Sequence, residues 1–215
     1  MLSLTKALRL FLIPFRVLKG LVFNRRSFLH QTGWIKSQVD GRPLAVDGES
    51  VPWMNYPIIS FLRERIPADA IVFEFGAGAS TEFFAKYGER VVSIEHDALW
   101  FKEVKESLPE NVVLEHVPLD AGDTYPSFIT EHPESFDLVI VDGRRRVDCF
   151  SRAIESLSVR GCIVLDDSNR RRYRQAFQMA EQSGFRYIHF EGMKPRGRGI
   201  ARATIFYRDQ NCFAI

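Results

Sequence analysis

The chain has 215 residues, 46% hydrophobic and 26% charged, which suffices for one full-sized domain with a substantial core and excludes a disordered chain. Its 29 basic and 27 acidic residues leave a net charge of +2, too little to imply nucleic acid as a partner. The three cysteines (Cys149, Cys162 and Cys212) are odd in number and widely spaced; they support neither a disulfide framework nor a zinc site and fit a reducing, cytoplasmic setting.

Residues 1–30 begin "MLSLTKALRLFLIPFRVLKGLVF". Lys6, Arg9, Arg16 and Lys19 interrupt the apolar run, so it falls short of the ~20 residues of a spanning helix. No small-residue cleavage site follows an apolar core, which argues against a secretory signal. At helical spacing Leu4, Leu8, Phe11, Phe15, Leu18 and Val22 share one face and the four basic residues the other. Such a basic amphipathic helix either lies through residues 1–23 on an anionic membrane, at its inner face, or packs on its own domain or a second subunit. Pro14 predicts a kink or an end to its first half.

Residues 31–57, rich in Gly, Pro, Trp and Asp, read as an irregular lid or linker with turns at Asp40-Gly41 and Asp47-Gly48. From residue 58 to 215 strands and helices alternate. "YPIISFLRERI" is helical, "AIVFEF" a buried strand, "STEFFAKYG" a helix, "RVVSIE" a strand and "DALWFKEVKESL" a helix. "NVVLEHV" and "FDLVIVDG" are strands, "VDCFSRAIESLS" a helix, "GCIVLDD" a strand and "NRRRYRQAFQMAEQSG" a helix; "FRYIHFEG" and "ARATIFYR" close the chain as strands. Continuous Val/Ile/Phe strands alternating with helices predict an α/β, Rossmann-like, doubly wound and mostly parallel sheet. The last two strands have no helix between them and predict an antiparallel hairpin at one edge.

The first strand ends in "VFEFGAGAST", and ligands of such sheets bind at the carboxyl ends of the strands. Gly76 and Gly78 let backbone approach a ligand, and Ser80 and Thr81 open a helix whose free N–H groups favour polar atoms. A dinucleotide loop would carry a third glycine where Thr81 stands, and Glu74 would repel a pyrophosphate but suit an ammonium group. The next strand ends in Glu95, which can accept hydrogen bonds from ribose hydroxyls.

On "EFGAGAST", "VVSIEHD", "FDLVIVDG", "GCIVLDD" and the reversed last strand, residues 58–208 resemble the class I S-adenosylmethionine-dependent methyltransferases. The resemblance implies a seven-stranded sheet and S-adenosylmethionine as cofactor. Glu74, Gly76 and Gly78 would lie at its methionine part and Glu95 at its ribose, with Ser80 also binding the cofactor. His96 and Asp97 would border the adenosine, and Asp120 would approach the adenine.

Asp142, Asp166 and Asp167 follow the fourth and fifth strands and are expected to converge near the transferred methyl group. One of them, Asp142 or Asp166, acts as general base toward a hydroxyl, or all three hold a divalent cation such as Mg. The grouping resembles metal-dependent O-methyltransferases, which have Asp-Asn where this chain has Asp166-Asp167. Arg144, Arg145, Arg146, Arg170, Arg171, Arg172 and Arg174 gather at the same edge and predict a rim for an anionic acceptor, with Arg144 and Arg145 binding it. Trp53 and Tyr56 form an aromatic lid over the site or a plug beneath the sheet. The sequence reading is an S-adenosylmethionine-dependent methyltransferase acting on oxygen of a small-molecule or glycan acceptor bearing anionic groups. Its rivals are an NAD-dependent oxidoreductase and a non-catalytic membrane-surface module of the same fold.

Overall fold

Runs of β-branched and aromatic residues build the sheet. The strands are β1 (Ile71–Phe75), β2 (Arg90–Glu95), β3 (Val112–His116), β4 (Phe136–Val141), β5 (Leu157–Leu165), β6 (Arg186–Met193) and β7 (Ile200–Tyr207). In this computed structural model, which describes residues 4–119 and 122–215 and side chains from residue 12 onward, they form one seven-stranded sheet of order β3-β2-β1-β4-β5-β7-β6. β1 to β5 pair in parallel, while β7 pairs antiparallel to both β5 and β6. The expected terminal hairpin is present. Its second strand turns inward beside β5, leaving β6 at the edge.

The helices are α1 (Leu4–Val22), α2 (Phe28–Gln31), α3 (Trp34–Asp40), α4 (Tyr56–Arg65), α5 (Ala79–Tyr87), α6 (Ala98–Lys105), α7 (Thr124–Ser127), α8 (Arg146–Ser156) and α9 (Arg174–Gln182). Alternate strand residues feed two cores. Val72, Leu138, Ile140 and Val164 pack with Ile58 and Leu62 of α4 and Phe84 of α5. Phe73, Val139, Val141 and Leu165 pack with Phe150 of α8 and Ala176 of α9 on the opposite face. This two-sided burial is why the strands read as unbroken apolar runs.

The amino-terminal third departs from the sequence expectation. Residues 31–57 are not irregular throughout: α3 is held by the buried Ser37 hydroxyl, which donates to Gly33 and Leu44 carbonyls and accepts from the Leu44 N–H. Gly33 has φ of 81°, and a Cβ there would lie 2.3 Å from the Leu44 oxygen. The first helix ends at Val22, and Ser27 and His30 reach back to the Leu21 and Val22 carbonyls at 2.6 Å each. It continues through Pro14, whose ring removes one donor from a helix that water can solvate.

β1 and β4 lie side by side while their following helices leave to opposite faces, which opens a crevice at the carboxyl edge. Gly76 follows β1 with φ of 94°, and a Cβ on it would sit 2.8 Å from the Gly143 Cα after β4. A Cβ on Gly143 would lie 2.2 Å from the Tyr125 hydroxyl and 2.9 Å from the Phe75 oxygen. Gly143→Ala is therefore expected to lose about 1–3 kcal/mol in urea unfolding, and Phe in place of Tyr125 to restore only part, since the Phe75 backbone cannot yield.

Candidate active site

A cavity of about 330 Å³ occupies the β1/β4 crevice. The glycine loop from Gly76 to Ser80, Glu95 and Trp100 wall one side, Asp142 and Arg144 the other, and Trp53 closes part of the mouth. Its volume is at the lower end of the range for small-molecule sites.

The two loop glycines do different work. Gly76 is required by its backbone conformation and by Gly143. At Gly78 a Cβ would meet only Trp100, at 3.6 Å, so the protein itself has room for a side chain there. Leaving that space open serves whatever enters the cavity.

Glu74 is fully buried behind the loop and does not reach the cavity wall. Its Oε2 accepts hydrogen bonds from the Thr81 hydroxyl at 2.6 Å and the Ser93 hydroxyl at 2.7 Å, and Thr81 Oγ1 in turn accepts from the Gly78 N–H at 3.0 Å. Thr81 thus relays the carboxylate's hold onto the loop. Glu74 Oε1 is buried with no hydrogen-bond partner. Burial pushes this carboxyl up to about 7, against the opposing pull of the Ser80, Thr81 and Ser93 hydroxyls.

Glu95 is 4% exposed and largely committed to backbone. Its Oε1 accepts from the His96 and Asp97 N–H groups at 2.7 and 2.8 Å, and its Oε2 from the Ala77 N–H at 3.2 Å. Oε2 keeps one lone pair, enough for one further hydroxyl rather than two. His96 places Nδ1 2.7 Å from Glu95 Oε1 and also borders the cavity. Asp97 caps α6, accepting from the Leu99 and Trp100 N–H groups, and these bonds hold its carboxyl below the usual range. That cap aims Trp100, whose indole N–H donates to the Ala77 carbonyl at 2.8 Å, over the loop. Asp120 lies outside the described residues.

On the acceptor side the three expected aspartates do converge, but with cations already among them. Lys194 Nζ lies 2.5 Å from Asp166 Oδ2 and 2.8 Å from Asp167 Oδ1, and Arg146 lies 2.6 Å from Asp142 Oδ1. Asp167, at φ of 52°, is turned toward Lys194 in a strained backbone conformation. A divalent ion among these carboxylates would meet an ammonium group, so the donor set does not fit a metal. Among the described residues no group of three or more His, Cys, Asp or Glu could hold a metal ion.

Burial, and then the charge of Asp142, push Asp166 up to about 8 despite Lys194. Burial raises Asp142 too, against the charges of Arg146 and Lys194, and Asp166 Oδ1 is buried without a hydrogen-bond partner, so the two neighbouring carboxyls are not ionised together near neutral pH. Asp167 goes the other way: burial is outweighed by the Lys194 bond and the charges of Lys194, Arg146 and Arg170.

A second cavity of about 320 Å³ shares Gly143, Arg144 and Arg146 with the first and adds Arg145, Arg170 and Arg172. Arg145 lines this second cavity while its guanidinium is paired with Asp123 and Asp148. Arg144 reaches only His96, at 3.4 Å, and Arg172 lies over the Tyr173 ring at 4.9 Å. Neither has a carboxylate partner among the described residues.

Trp53 borders the cavity under the Arg196 guanidinium at 5.6 Å, as a lid residue would. Tyr56 does not: it opens α4, points into the core and packs edge-on against Phe28 at 5.6 Å. Sequence reasoning missed Trp100 and Lys194. Trp100 could have been found as the third helical residue after a capping aspartate that follows an acidic strand end. Lys194 stands one residue past β6, at the same edge as the aspartates.

No protein-family model and no curated protein sequence matches the chain. Solved structures do. An rRNA methylase from Streptococcus thermophilus superposes with a TM-score of 0.54 at 15% identity, over 71% of this chain and 96% of that one. A precorrin-6y C5,15-methyltransferase from Geobacter metallireducens gives 0.52 at 16%, over 71% and 87%. A spermidine synthase bound to a transition-state analogue gives 0.56 at 12%, over 80% and 64%. The chain has the fold of the class I S-adenosylmethionine-dependent methyltransferases. At these identities the likeness speaks for the fold alone, and the reaction must be argued from the site.

The proton on the Asp142/Asp166 pair has a signature in stability. A carboxyl whose folded pKa is raised contributes stability that is present at low pH and lost as pH climbs from its ordinary value, near 4, through about 8 for Asp166. Melting curves of Asp166→Asn against wild type should therefore shift in the variant's favour between about pH 5 and about pH 8. Because Lys194 supplies the cation, EDTA or Mg²⁺ should leave the wild-type melting temperature unchanged.

Proposed function

We propose that the protein is an S-adenosylmethionine-dependent methyltransferase that methylates oxygen on a small-molecule or glycan acceptor bearing anionic groups. The observation that carries this reading is one continuous cavity in which Gly78, Glu95 and Trp100 face Asp142 and Arg144 across the β1/β4 crevice. When bound, the cofactor supplies a methyl group on a positively charged sulfur.

The residues on the loop side fit such a ligand. The open space above Gly78 accepts its backbone-proximal part, Glu95 Oε2 can take one ribose hydroxyl, and Trp100 offers an aromatic wall to an adenine. Glu74 holds the loop through Thr81, and with its carboxyl raised to about 7 it gains negative charge as a cation comes to lie in front of the loop.

Asp142 fits the role of base. Its carboxyl is held by Arg146, lines the cavity and is part of a pair that exchanges a proton near neutral pH, so it can take the proton of an acceptor hydroxyl as the methyl group arrives. Arg144 stands on the wall between the two cavities, and with Arg172 it can seat a phosphate or carboxylate so that the hydroxyl lies over Asp142. Alignment of the two reactants supplies much of the rate in a displacement of this kind.

Calorimetric titration with S-adenosylhomocysteine and with NAD tests the cofactor. Binding of the former alone is expected, and binding of NAD alone would overturn the reading. Gly78→Leu, whose Cβ the fold accepts beside Trp100, should stay folded by its melting curve yet abolish nucleoside binding. In a methyl-transfer assay with labelled cofactor, Asp142→Asn should lower kcat by about 10²–10⁴ with cofactor affinity unchanged. Arg144→Ala should raise the acceptor KM by about tenfold or more with little change in kcat.

A further inference from the structure

The cavity does not account for α1, and its chemistry points outward. The first 39 residues hold seven basic side chains (Lys6, Arg9, Arg16, Lys19, Arg25, Arg26 and Lys36) and no acidic one, a net +7. The remaining 22 basic and 27 acidic residues leave the rest of the chain at −5. This segregation is invisible in the overall +2.

Among the described residues, α1 leaves apolar side chains exposed. Val17, Leu18 and Leu21 share one face and are 49%, 55% and 40% exposed, while Arg16 and Lys19 lie exposed on the other flank. Past the helix, Phe23 is 74% exposed beside Arg25 and Arg26. The 19 residues reach about 28 Å, and among the described residues no helix is long and apolar enough to cross a membrane. An apolar face flanked solely by positive charge suits a surface that is itself apolar beneath a negative layer.

We propose that α1 docks the protein on an anionic phospholipid surface, with Val17, Leu18 and Leu21 at the acyl boundary and Arg16 and Lys19 against the headgroups. The docked helix is continuous with the lid of the cavity. Ser27 and His30 bind the last turn of α1, and α3 follows with Trp34 donating to the Gly197 carbonyl at 2.7 Å in the loop between β6 and β7.

The test is co-sedimentation of the full-length protein with vesicles of phosphatidylcholine alone and of phosphatidylcholine mixed with phosphatidylglycerol. Binding is expected only to the mixed vesicles and should weaken with added salt. Leu18→Glu/Leu21→Glu and Arg16→Glu/Lys19→Glu should each weaken it by about tenfold or more. Both double variants should keep the wild-type melting temperature, since these side chains face solvent. Absence of binding to mixed vesicles, equal binding to both kinds, or undiminished binding by both variants would overturn the proposal. So would a lipid-free dimer that Leu18→Glu/Leu21→Glu dissociates without any vesicle binding by wild type, which would assign the face to a second copy.

Discussion

The close passage of two backbones at the carboxyl ends of β1 and β4 governs the site. With no Cβ on Gly76 or Gly143, the two turns come within contact distance, and both are pinned. The Gly76 N–H donates to Ile94 on β2 at 2.9 Å, and the Asp142 N–H donates to Phe75 on β1 at 3.2 Å. From that contact α5 leaves over one face of the sheet and α8 over the other, so the crevice follows from topology. Side chains on either glycine would push the strand ends apart and with them the two walls of the cavity.

Buried carboxylates then divide the labour. On the loop side Glu95 spends both oxygens on three backbone N–H groups, and Glu74 spends one oxygen on Thr81 and Ser93. They hold the shape of the loop. On the facing side Arg146, Lys194 and Arg170 stand beside Asp142, Asp166 and Asp167, yet burial disfavours the charged form of Asp142 and Asp166 and leaves a proton on Asp166 near neutral pH. The same low dielectric thus produces a rigid cradle on one wall and a proton-exchanging pair on the other.

The lid is tied to the far end of the sheet. Trp34 bonds the Gly197 carbonyl, Arg196 bonds the Gly41 carbonyl, and Asn55 caps α4 while donating to the Phe190 carbonyl at 2.9 Å. Residues near 40 and near 196, remote in sequence, close the cavity mouth together. Lys194 sits in the same loop region, so the lid and the charge balance of the aspartates share an anchor.

The sheet was legible in the sequence because strands buried on both faces are apolar at nearly every position, and the runs from Val72, Val91, Leu138 and Ile163 show it. So was the loop "EFGAGAST", since its residue types restrict the backbone and set the local charge. The sequence also marked Asp142, Asp166 and Arg144 by their place after strands four and five. The path of Glu74 through Thr81 to the loop, the inward turn of Tyr56 and the outward pairing of Arg145 were not legible. Each depends on which neighbours a side chain meets, and those neighbours come from distant parts of the chain. Lys194 is the clearest instance. Local patterning determined the sheet, the glycine turn and the presence of three aspartates at its edge. Only the tertiary structure, by bringing an ammonium group from 28 residues past Asp166 to within 2.5 Å of it, placed a cation of the protein's own among those aspartates.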